Sequence, residues 1–185
     1  MLAARHMSES GIQDYQLAKR KAAQKLGMDE TRNLPSNKEI EAALIEYQDL
    51  FHADSQPQLL SQLRETAVHA MEFLQAFKPR LAGDVLSGTA NEYTPVEIHV
   101  FADYPEQVSL YLMEQHIPYN EKQKRVKYDN DYEQQPVFSI TADNIEVDII
   151  VFSVEKLRRP PDSPIDGKPM NRIDLKSVQA LLQAG

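Results

Sequence analysis

Two short stretches carry ionisable side chains where the surrounding sequence is apolar. Pro95 to Phe101 alternates strictly, with Val96, Ile98 and Val100 on one side and Pro95, Glu97 and His99 on the other. That is the period-two pattern of a strand. Ile145 to Phe152 is apolar enough for a buried strand, yet it holds Glu146 and Asp148, two residues apart and so on one face. A carboxylate in such a run needs a partner or access to solvent, because an unpaired buried charge is costly. Glu97, His99 and Asp148 are therefore the candidate chemical residues. His99 facing Asp148 would satisfy both as an ion pair. The plainer alternative makes all three the wet face of half-exposed strands. Two carboxylates and an imidazole form a softer set than paired aspartates, and imidazole suits magnesium poorly.

The elements that must position these residues follow from periodicity and turn chemistry. Gln13 to Leu26 reads as a helix ending at Gly27, with Tyr15, Leu17, Ala18, Ala22 and Leu26 as an irregular apolar stripe. Leu34-Pro35 breaks the chain, and Ser36-Asn37-Lys38-Glu39 has capping-box spacing ahead of a helix over 37–51. A second such box, Ser55 to Gln58, opens a longer helix over 58–77, which Pro79 stops; His69 lies on it as a surface or core-edge residue. Beyond Pro79 come a short apolar run from Ala82 to Leu86, the strand at 95–101 and a helix over 104–116. Strands follow at Gln123–Tyr128, Pro136–Thr141 and Ile145–Phe152, the last two joined by the hairpin turn Ala142-Asp143-Asn144. A Pro-rich stretch from Leu157 to Pro169 is irregular, and a helix over 174–182 closes the chain. The class is α+β, with helices first and then a small mixed sheet.

The stretch Ala82-Gly83-Asp84-Val85-Leu86-Ser87-Gly88-Thr89-Ala90, running on through Glu97 to Val100, resembles the signature of the polymerase-β-like nucleotidyltransferases. In that superfamily a helix leads into a strand ending in Gly-Ser, a Gly-Thr-Ala-like loop follows, the next strand carries Asp-x-Asp, and a third carboxylate sits on a later strand. The resemblance covers about residues 57–155. It puts Gly83, Asp84, Gly88 and Thr89 at the phosphates of a nucleoside triphosphate. It also makes Glu97, His99 and Asp148 the catalytic set, with Glu97 and Asp148 gathering magnesium or manganese for two-metal nucleotidyl transfer to a hydroxyl. The departures are as informative. Asp84 stands where the serine belongs, and its charge would repel a triphosphate. Pro95 and Glu97 fall on the Asp-x-Asp pair, so one ligand is missing. An eroded site, weakly active or non-catalytic, is the reading that follows.

Length and charge bound the rest. The 185 residues carry a net charge of -8, enough chain for one domain and an appendage. Residues 1–35 hold six Lys/Arg against four acids, while the remainder holds 14 against 24. An acidic body disfavours broad nucleic-acid binding. The Lys19-Arg20-Lys21 cluster reads as a solvated helix face. Cysteine is absent, which excludes disulfides and thiol chemistry. The lack of a signal-like or membrane-spanning apolar run leads to the expectation of a cytoplasmic protein. The tyrosines and lysines of 122–132 superficially suggest nucleic-acid binding, but Lys122 and Lys124 against Gln123 and Arg125 better fit a charged edge strand. Arg158-Arg159 could hold a phosphate or carboxylate, though pinning the tail to acidic surface is simpler. The expected organisation is a helical extension over 1–52, the α/β domain over 53–156 and a tail over 157–185. The alternative function is a regulatory module that holds a protein partner with helices 13–51, and those helices should pack on the 58–77 helix or on that partner.

Overall fold

The computed structural model describes residues 1–27 and 34–184. The chain is α+β. Four helices, α1 (Leu2–Ser10), α2 (Tyr15–Lys25), α3 (Asn37–Phe51) and α4 (Gln56–Phe73), precede the sheet. Then come β1 (Arg80–Ala82), α5 (Gly83–Ser87), β2 (Val96–Phe101), α6 (Glu106–Glu114), β3 (Asn120–Tyr128), β4 (Asp131–Ala142), β5 (Ile145–Phe152) and α7 (Leu175–Ala184). The strands form one sheet in the order β1-β2-β5-β4-β3, with β2 and β5 parallel and every other pair antiparallel.

Alternation divides the sheet into two unlike faces. Val96, Ile98 and Val100 of β2, with Val147, Ile149 and Val151 of β5, join Leu63, Ala67, Ala70 and Met71 of α4 and Leu74 just after it in the main core. Val108 and Leu112 of α6, Val178 of α7 and Phe138 and Ile140 of β4 belong to it as well. The other face carries Glu97 and His99 on β2 and Asp148 on β5, as the sequence pattern requires. Farther along the strands this second face turns apolar, where Phe101, Val126, Tyr128, Val137, Ile150 and Phe152 form a smaller cluster capped by Leu157.

Turn chemistry sets the register between β4 and β5. Asp143 and Asn144 take φ of 53° and 63°, the left-handed pair that a two-residue hairpin needs, and both residue types tolerate it. After α6 and the β3–β4–β5 meander, the tail returns to the opposite edge. There Ile173 and Leu81 exchange backbone hydrogen bonds of 2.9 and 3.0 Å, covering β1. β3 remains a charged edge, as expected.

Several expectations are corrected. Leu2–Ser10 is helical although its sequence offers no side-chain cap. The Ser36–Glu39 box forms fully, but the one proposed at Ser55 does not: the Ser55 hydroxyl donates back to His52 O at 3.4 Å and caps nothing. With Gln58, not Glu, at the reciprocal position and Pro57 near the helix start, that box had the weaker chemistry. The Ala82–Leu86 run is the end of β1 and the start of α5. Nor do α2 and α3 build their core on α4. They pack with α1 in a separate cluster of Ala3, Ala4, Met7, Ile12, Ala18, Ala22, Ile40 and Leu44, because the unforeseen α1 supplies the small apolar surface they need.

Candidate functional site

The parallel pairing of β2 and β5 places Glu97 directly across from Asp148, so both carboxylates share one face on neighbouring strands, which lie about 4.8 Å apart. Each carboxylate meets an ammonium group. Lys124 Nζ donates to Glu97 Oε2 at 2.5 Å, and Lys122 Nζ lies 3.0 Å from Asp148 Oδ1 and 2.9 Å from Glu146 Oε1. Ser139 Oγ donates to Asp148 Oδ1 from the intervening strand β4. Lys122, Lys124, Val126 and Tyr128 alternate onto this face of β3, so the edge strand delivers two cations over the carboxylates of two inner strands.

His99 pairs with Glu97, not with Asp148. Its Nε2 lies 2.7 Å from Glu97 Oε1, and its ring packs 4.6 Å from the Phe152 ring. The correction has a geometric cause. The strand partner of His99 is Ile150, whereas Glu97 sits two residues back on the same face. Only 1% of the His99 side chain and 15% of that of Glu97 are exposed. Burial opposes the charge on Glu97, but the Lys124 ammonium and the His99 ring outweigh it and hold the carboxyl well below the usual carboxylate range. Burial dominates for His99 and pushes its pKa down despite Glu97, which favours the neutral ring. Its Nε2–H donates to the carboxylate.

The glycine-rich turn is equally occupied. Gly83 opens α5 with φ of 69°, and a β-carbon there would meet Glu97 Oε2 at 3.2 Å. Glycine is needed for close approach to the buried carboxylate. The N–H groups of Gly88, Thr89 and Ala90 all converge on the Asp84 carbonyl, at 2.9, 3.0 and 3.2 Å. On the other side of the loop, Gln48 Nε2 donates to Thr89 O at 2.9 Å, and Gln56 Nε2 donates to Ala90 O at 2.7 Å and Gly88 O at 3.2 Å. A phosphate cradled by this loop would have to take N–H donors from an existing turn. The Asp84 side chain is driven toward its neutral form by burial and then by Glu97, against Lys124 and the Thr89 hydroxyl.

The N-terminal helices reach the same loop. Besides Gln48, Asn91 Nδ2 donates to Met7 O at 2.9 Å. Tyr15 and Glu41 both feel the Asp84 charge, and burial followed by Asp84 raises the Glu41 pKa. The structure thus brings Gly83, Asp84, Glu97 and His99 together, with Asp148 beside Glu97 and with Gly88 and Thr89 at the far end of α5. Arg159 pins the tail through Asp129 at 3.0 Å, as expected. What sequence reasoning missed is the role of Lys122, Lys124 and Ser139. Their signal was present in the alternation of β3, which assigns both lysines to the face of Val126 and Tyr128.

As a divalent-metal centre the donors fit poorly. Two carboxylates already hold ammonium groups, and the third polar group is a neutral imidazole whose Nε2 is committed to Glu97. Among the described residues there is no cluster of three or more His, Cys, Asp or Glu that could hold a metal ion. No helix among them is long and apolar enough to cross a membrane. No family model, curated protein or solved structure matches the chain.

Proposed function

We propose that this chain is a nucleotidyltransferase-like module in which lysine ammonium groups stand where metal ions would be gathered, and that it is non-catalytic. The observation that carries this reading is the pairing of Lys124 with Glu97 and Lys122 with Asp148 on one sheet face. The order of elements supports the likeness: a helix, a strand ending just before Gly83, a strand bearing Glu97, and a hairpin returning Asp148 to its side. Asp84 beside the loop and Pro95 ahead of β2 weigh against triphosphate and metal. Any residual activity would be nucleotidyl transfer from a nucleoside triphosphate to a hydroxyl.

Calorimetric titration of ATP, CTP, GTP and UTP, with Mg²⁺ and then Mn²⁺, tests the reading. The expected result is no metal-dependent nucleotide binding by the wild-type chain. Asp84→Ser with Pro95→Asp removes one repelling charge and restores one ligand, and Lys124→Ser frees Glu97; the triple variant should gain Mg²⁺-dependent binding. Metal-dependent NTP binding or transfer by the unmodified protein overturns it.

A second reading, a protein-docking role for the N-terminal helices, is favoured by α3. Ile40, Leu44 and Gln48 are buried, while Ile45, Leu50 and Phe51 are exposed at 46, 66 and 65%. Sedimentation velocity over a concentration series tests self-association: a concentration-dependent dimer lost in Leu50→Ser/Phe51→Ser supports it, and a monomer throughout removes the second copy as the partner.

A further inference from the structure

Three residues with a buried polar atom lacking a hydrogen-bond partner border the aromatic pair Phe101 and Phe152 on the open sheet face: His99 at Nδ1, Tyr128 at its hydroxyl and Arg172 at Nη1. Buried polar atoms are paired in the great majority of cases, so three orphans around one aromatic pair call for an occupant. They share one neighbourhood. Arg172 Cζ lies 5.1 Å from the Phe101 ring centre and 5.8 Å from that of Phe152, and Phe152 packs at a tilt against His99. Tyr128 belongs to the same packed cluster as Phe101 and Phe152. His99 and Tyr128 are 1 and 4% exposed.

The Arg172 charge at this end is unbalanced. Arg172 Nη2 donates to the carbonyls of Lys156 and Leu157 at 2.8 and 3.1 Å, and among the described residues no carboxylate is within ion-pair reach of the guanidinium. Arg80, beside His99 on β1, donates to carbonyls at 2.9 and 3.3 Å and has Asp174 close enough to feel its charge. A water would satisfy the hydrogen bonds yet leave a half-buried cation without counter-charge, which is costly.

The donor pattern narrows the ligand further. Because His99 donates through Nε2 to Glu97, its Nδ1 is a bare acceptor. Arg172 Nη1 is a donor only, and Tyr128 can donate. We propose that Arg172, Tyr128 and His99 form a binding site for a phosphate group that still bears a proton, its P–OH donating to His99 Nδ1 and its charged oxygens accepting from Arg172 and Tyr128. Sulfate matches the charge and shape of phosphate but has no hydrogen to offer Nδ1, which would then remain buried and unpaired.

Isothermal titration at pH 7 and constant ionic strength, with inorganic phosphate, glycerol 1-phosphate and sulfate as probes, decides the matter. Phosphate should bind at least about ten-fold more tightly than sulfate, and Arg172→Gln should weaken it about ten- to hundred-fold, the worth of one charge-assisted hydrogen bond. Tyr128→Phe, which removes only an oxygen, is the second variant should Arg172→Gln unfold; it should weaken phosphate several-fold. Inorganic phosphate keeps a P–OH at pH 7, whereas glycerol 1-phosphate is there largely a dianion without one, so phosphate should also bind more tightly than the ester; tighter binding of the ester overturns the assignment of a protonated phosphate. Equal affinities for phosphate and sulfate, no binding of either phosphate probe, or affinity unchanged in folded Arg172→Gln or in Tyr128→Phe overturns the proposal.

Discussion

A methyl group on Gly83 would lie 3.2 Å from Glu97 Oε2 in a backbone conformation with φ of 69°, so Gly83→Ala strains both the turn and the carboxylate. We expect a loss of at least about 1 kcal/mol in urea unfolding. The two acids near this turn carry opposite pH signatures. Glu97 has a folded pKa below its ordinary value, so its stabilisation is full above the ordinary carboxylate range and is lost as pH falls toward the depressed value. Lys124→Ala removes the main opposing charge and leaves a buried carboxylate paired only with a neutral ring. Its cost should be about 1–3 kcal/mol at pH 7, discounted from a fully buried pair because Lys124 is 44% exposed. Acid unfolding should also begin at higher pH than in wild type. Asp84 is the reverse case: its raised pKa means that ionisation on going to neutral pH weakens the fold. Asp84→Asn should raise Tm at pH 7, with the gain vanishing below the ordinary carboxylate range. An equal gain at both pH values would contradict this account.

At the scale of elements, two serines of similar local sequence do unlike work. Ser36 accepts from Glu39 N at 3.2 Å while the Glu39 carboxylate accepts from Ser36 N at 2.8 Å, so two helix-end donors are satisfied. Ser55 satisfies none. Ser36→Ala should therefore cost about 1 kcal/mol, whereas Ser55→Ala should fall within about 0.5 kcal/mol of wild type; far-UV circular dichroism across a denaturant series separates them. The edge strand β3 also has a double role. Its alternating lysines blunt an open edge, as the sequence suggested, and the same spacing carries Lys122 and Lys124 onto the face that holds Asp148 and Glu97.

Across the whole molecule, two cores meet at the loop after α5. The N-terminal cluster touches the α/β body through Gln48, which is 4% exposed and caps Thr89 O, and through the Asn91–Met7 bond. Deleting residues 1–52 would uncap Thr89 O and expose the loop. We expect a lower Tm and reduced solubility, measured by thermal unfolding; a truncated monomer of equal stability would show that the extension does not support the body. Gln48→Ala in the full chain should cost about 1–3 kcal/mol, the penalty for an unsatisfied buried carbonyl.

Patterns local to the chain were legible without coordinates. The alternation over 95–101 and 145–152 placed Glu97, His99 and Asp148 on the face opposite Val96, Ile98, Val147 and Ile149, because a strand's period is set by the backbone alone. The Ser36 box and the Asp143-Asn144 turn were readable for the same reason. The partners of those polar residues were decided elsewhere. The choice of Glu97 over Asp148 for His99 depended on the β2–β5 register. The delivery of Lys122 and Lys124 depended on β3 lying two strands away from β5, and the gathering of Tyr128, His99 and Arg172 depended on the tail returning past β1. Sequence spacing determines which face a side chain takes; only the order and register of strands, fixed by packing over long sequence separations, determine what it meets there.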